Sequence, residues 1–96
     1  MPTVVDGDFE WDADKADENA VKHGVSFDEA VAAFGAAYSV DLADAIHPDR
    51  VVTLAMSPRG RILYIVSTGV GARTRIISAR KATNHEERVY ESGPRS

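Results

Sequence analysis

The chain has 96 residues, 44% of them hydrophobic and 27% charged, with no cysteine and a formal net charge of -4. This length holds one domain with a modest core, and the missing cysteines exclude disulfides and thiolate metal sites. No apolar run approaches the roughly 20 residues of a membrane span, and the start, MPTVVDGDFEWD, lacks the regions of a signal peptide; the absence of disulfides fits a reducing cytoplasm, as it also fits many exported proteins.

VVDGDFEW reads as a short strand or hairpin arm ending in aromatics. Asp12 is placed as an N-cap, and ADKADENAVKH is rich in the helix formers Ala, Lys and Glu. Gly24 is placed to end this helix. Its buried candidates are Ala13, Ala16, Ala20 and Val21. Lys15, Asn19, Lys22 and His23 share one face, either solvated or turned to phosphate. A second helix, starting within VSFDEAVAAF, has Ser26 as N-cap and Glu29 as its expected capping-box partner. Phe27, Ala30, Val31 and Phe34 supply its apolar stripe.

A strand over roughly 38–42 follows, then an acidic loop with His47 and Pro48. RVVTLAMS, RILYIVST and RTRIISAR alternate with the turns PRG and GVGA, the pattern of an antiparallel meander. Apolar residues on both faces of these strands predict a sheet covered on one side and partly covered on the other. Thr83 and Glu86 form a capping box ahead of a last helix, NHEERVYES, which Gly93 and Pro94 end. The order β-α-α-β-β-β-β-α gives an α+β fold, two helices on a small, mostly antiparallel sheet with a short C-terminal helix.

Charge divides along the chain. Residues 1–49 carry 12 acidic and 2 basic side chains, and residues 50–96 carry 3 and 9. The acidic total therefore does not exclude a nucleic-acid partner. The three histidines lack the spacing of a metal site, and GVGA joins two strands, which fails the dinucleotide pattern. The candidates are cationic. Arg59 and Arg61 flank a turn, and Arg73, Arg75, Arg80 and Lys81 lie on or just after the last strand. Strict alternation puts Arg73 and Arg75 on one face and Arg80 on the other. An arginine like Arg80, among apolar and small neighbours, needs a carboxylate such as Asp12 or Glu29, or an anion. His85 is a candidate proton carrier or a solvated first-turn residue. Tyr64 reads as core or as a platform for stacking bases.

The blocks FEWDADKADENAVKHGVSFDEAVAAF, SPRGRILYIVST and RIISARKATNHEERVYE, in this order, resemble the BrnT family of type II toxin–antitoxin toxins. The resemblance covers about residues 9–91 and fits least between 38 and 50. It implies a RelE-like fold over a single domain 1–96, with its core at about 9–91 and flexible tails at 1–3 and 93–96. It implies a ribonuclease that needs no metal or other cofactor, with RNA as substrate. It also implies a BrnA-like, DNA-binding antitoxin, a hetero-oligomer with that antitoxin that represses its own operon, and a toxin–toxin contact within it. The motifs carry over Arg80, Arg59, Arg61, Glu86, Glu87 and Arg88, and His23 in KHG for either fold or function. On the chemistry of metal-free RNA cleavage, Arg80 and Arg61 would hold the scissile phosphate, and His85 or Glu87 would move protons. Arg59, Arg73, Arg75, Lys81 and Arg88 would bind flanking RNA. The competing readings are a toxin of the same fold with another target, such as gyrase, and an inactive protein-binding module.

Overall fold

The structure, a computed structural model, describes residues 2–93. The expected flexible tails fall partly outside this range, as does Pro94, while Thr3 already belongs to a strand. The elements are β1 (Thr3–Asp6), β2 (Phe9–Asp12), α1 (Ala13–His23), α2 (Phe27–Phe34), β3 (Ser39–Ala43), β4 (Arg50–Met56), β5 (Ile62–Val70), β6 (Arg73–Lys81) and α3 (Asn84–Ser92). The N-terminal segment is thus a complete hairpin rather than one strand. Asp6 pairs with Phe9, leaving Gly7 and Asp8 as a two-residue turn. Gly7 sits at φ 59, a conformation that costs a residue with a side chain.

One six-stranded sheet has the order β1-β2-β6-β5-β4-β3. The β2–β6 pairing is parallel and the rest are antiparallel, so the sheet is mixed. The meander of β4, β5 and β6 stands as expected.

The caps explain where the first two helices begin and end. Asp12 accepts hydrogen bonds from the Asp14 and Lys15 amides, satisfying donors the helix leaves open. Gly24 ends α1 in the left-handed conformation, φ 69, with its N–H donating to the Ala20 carbonyl. Ser26 accepts from the Glu29 amide, as expected. Glu29 does not return the favour, because its carboxylate is drawn to Arg61 and Ser57. The box at Thr83 and Glu86 is complete in both directions.

The main core lies between α1, α2 and one sheet face. It joins Trp11, Val25, Phe27, Ala30 and Ala33 to Ala55, Leu63, Ile65, Ile76 and Ala79. Trp11 and Phe27 meet edge to face, their ring centroids 6.1 Å apart. Ala20 and Val21 are not part of it. Val21 is 90% exposed, because α1 lies on the sheet through its Ala16–Asn19 side.

The second face of the sheet carries Val40, Val52, Leu54 and Val66, all buried. Strand alternation places Tyr64 and Arg80 with them. On this face α3 packs against β4, and the Tyr38 hydroxyl donates to the Tyr90 carbonyl at 2.8 Å.

A bulge in β6 rearranges the arginines. Val66 faces Ser78 and Ser67 faces Ile76, so Ile77 has no partner on β5. Ile76 and Ala79, three positions apart, therefore both enter the main core. Strict alternation fails at this point. Arg73, Arg75 and Arg80 emerge on the same face of the sheet, the one that α3 borders.

Candidate RNA-binding face

Arg80 lies on that face near the C-terminal end of β6. Its guanidinium carbon lies 3.9 Å from the centroid of the Tyr64 ring, directly across the β5–β6 ladder. Its two terminal nitrogens donate to the two carboxylate oxygens of Glu86, at 2.7 and 2.8 Å. One of them also reaches the Lys81 carbonyl at 3.3 Å. The partner expected among Asp12 and Glu29 is instead a residue six positions along the chain. Glu86 is held in turn by the Thr83 cap. The Arg80 fork lowers the Glu86 carboxyl below its ordinary range, against the opposing effect of burial. The same hydrogen bonds raise Arg80, which is charged at any working pH. A planar guanidinium thus lies on an aromatic ring and offers both ends of its fork to one anion. A third of its side chain remains open to solvent.

Farther along the face, Arg75 donates to the buried Glu10 of the neighbouring strand, and Arg73 stands 3.8 Å from the same carboxylate. Arg75 is held in this pair, while Arg73 has a half-exposed side chain. Lys81, His85 and Arg88 are exposed, and Glu87 is half-buried on the first turn of α3.

Arg61 is elsewhere. It leads into β5 with the parity of Leu63 and Ile65, and so faces α1 and α2. Its Nε and one terminal nitrogen grip both oxygens of Glu29 at 2.8 and 2.7 Å, and the terminal nitrogen also donates to the Gly24 carbonyl. Glu29 accepts a further bond from the Ser57 hydroxyl at 2.7 Å. Arg61 is the main cause of the lowered Glu29 carboxyl, which burial pushes the other way. Arg59, 69% exposed at its side chain, is only 3.8 Å from the same carboxylate. The two arginines assigned to one scissile phosphate therefore lie on opposite faces of the sheet, each already bidentate on a glutamate.

Sequence reading missed the partners more than the cations. Glu10 and Ser57 give no local signal, because their meaning lies in strands distant along the chain. Asn19, grouped with Lys15, Lys22 and His23, is buried. Its side chain pairs with the backbone of Ala79, while the other three stay exposed.

The comparisons agree with this architecture. The crystal structure of the Brucella abortus ribonuclease toxin BrnT matches with a TM-score of 0.59 and 22% identity, over 77% of this chain and 94% of that one. At that identity the likeness is one of fold. No curated protein matches. The sequence model described as "Ribonuclease toxin, BrnT, of type II toxin-antitoxin system" matches residues 11–86, which span β2 through the first turn of α3. The chain belongs to the BrnT family of ribonuclease toxins of type II toxin–antitoxin systems.

Proposed function

We propose that the chain is a metal-independent endoribonuclease of RelE-like fold whose substrate phosphate is gripped by Arg80. The observation that carries this reading is the Arg80 fork, stacked on Tyr64 and closed on the Glu86 carboxylate. A carboxylate and a phosphate present the same pair of oxygens to a guanidinium. Glu86 stands where two phosphate oxygens would sit, and the substrate must displace it.

In the reaction, the RNA 2′-oxygen attacks the adjacent phosphorus and the bond to the 5′-oxygen breaks. The products are a 2′,3′-cyclic phosphate and a 5′-hydroxyl. A base takes the 2′-proton and an acid protonates the leaving oxygen. Arg80 stabilises the charge that builds on phosphate, a contribution commonly worth about a hundredfold or more in rate. His85 and Glu87, on the turn of α3 beside Glu86, carry the protons. Arg73, Lys81 and Arg88 bind flanking phosphates, with Arg59 more distant at its turn. Arg75 keeps Glu10 neutralised and Arg61 keeps α2 on the sheet, so both act on the site through the fold. The partner is a BrnA-like antitoxin, and the toxin acts in the cytoplasm.

Purified protein incubated with RNA in excess EDTA tests this. Cleavage with cyclic-phosphate ends, lost in Arg80→Ala, is the expected result. Intact RNA with wild-type protein, or cleavage that survives Arg80→Ala, would overturn it. A parallel incubation with gyrase and supercoiled DNA separates a same-fold toxin with that other target.

A further inference from the structure

Lys15 and Lys22 are the only basic side chains among the first 49 residues apart from histidine. Both line one cleft of about 170 Å³, together with Glu18, Asn19, His23, Ile77 and Ser78. Seven positions apart, they stand two turns from each other on one face of α1. Neither makes an ion pair among the described residues.

The cleft exists because β2 pairs with β6 only at Thr74 and Arg75, which leaves the rest of that β6 edge without a strand. At Ala79 the α1 residue Asn19 takes the strand's place. The bulge at Ile77 opens the wall, and Ser78, next on the chain, has the parity of Arg80. Ser78 thus belongs both to the cleft and to the arginine face. It lies two positions from Arg80, a separation of about 7 Å along a strand.

We infer that this cleft is a second backbone subsite for RNA. The strand leaves Arg80, passes Ser78, turns over the open edge of β6 and places a phosphate between Lys15, Lys22 and His23. Glu18 is the one carboxylate in the wall, and it weakens the site. This inference rests on the ribonuclease reading above, but uses residues that play no part in cleavage.

The probe is a mixed-sequence 2′-O-methyl RNA oligonucleotide, which binds but cannot be cut through the 2′-oxygen. Its affinity is measured across salt concentrations for wild type, Lys15→Gln/Lys22→Gln and Glu18→Gln. All three positions are exposed, and a melting curve checks the fold. Each phosphate contact to a single strand contributes about 0.7 to the log–log salt slope. The double variant loses this one phosphate contact and should lose about 0.7 of slope, so its deficit shrinks about 2.6-fold between about 50 and about 200 mM salt. Glu18→Gln should bind more tightly. Unchanged affinity and slope in the double variant overturns the subsite and leaves the ribonuclease reading standing. A wild-type protein that fails to bind the probe overturns both.

Discussion

The Asn19 side chain and the Ala79 backbone form a closed pair. The amide nitrogen of Asn19 donates to the Ala79 carbonyl at 2.7 Å, and the Ala79 N–H donates to the Asn19 oxygen at 3.1 Å. The second amide hydrogen goes to the Val25 carbonyl at 2.9 Å. One side chain therefore completes a strand edge and ties α1, the α1–α2 link and β6 together.

Truncation at this point should be costly. Asn19→Ala leaves the Ala79 N–H and C=O without partners in a buried place, at about 1–3 kcal/mol for each group. A loss of at least about 2 kcal/mol in urea unfolding is expected. Asn19→Asp should also destabilise, because the donor to both carbonyls is gone.

Arg61→Ala and Arg80→Ala should fail in different ways. Removing Arg61 strands a buried Glu29 carboxylate, and breaking such a pair costs about 3 kcal/mol or more. The variant should lose toxicity in step with its melting temperature, and Glu29→Gln should restore part of the stability. Arg80 is in a more open pair, so its removal should cost less, about 1–2 kcal/mol with the loss of the Tyr64 stacking included. Cleavage should nonetheless fall about a hundredfold or more.

Glu86 should act as a competitor. Glu86→Gln frees the Arg80 fork and removes a negative charge from the face, so RNA should bind more tightly. The capping contact weakens at the same time, with a stability cost of about 1 kcal/mol or less. Binding isotherms and melting curves of the same preparation separate the two effects.

Acid should unfold the protein through these glutamates. Glu29 and Glu86 both titrate lower in the folded chain than the ordinary value of 4.5. A depressed folded-state value means the unfolded chain binds protons first. Their stabilisation is complete above about 4.5 and is lost as the pH falls through the lower folded values. Glu29→Gln should flatten the acid limb of a plot of stability against pH, and stability between pH 6 and 8 should change little in slope.

The local signals translated directly into structure. Asp12, Ser26, Thr83 and Gly24 mark helix ends because capping depends on residues within one turn. Alternation and turn residues placed β4, β5 and β6 for the same reason. The β1–β2 hairpin was half visible. Its short strands carry no strong pattern, and all of β1 is exposed.

The site was legible in part. Arg80 and Glu86 are close in sequence, yet their pairing depends on where α3 folds back over the sheet. The face on which the arginines emerge could not be had from alternation, because one extra residue at Ile77 inverts the strand positions before it relative to those after it. Glu10 meets Arg75 and Glu29 meets Arg61 across 65 and 32 positions. The sequence by itself determined the helices, the meander strands, the capping residues at the helix ends and the division of charge, since these depend on near neighbours. Only the tertiary structure decided which cations are already neutralised and which face the open surface, because a long-range ion pair has no signature in either of its partners alone.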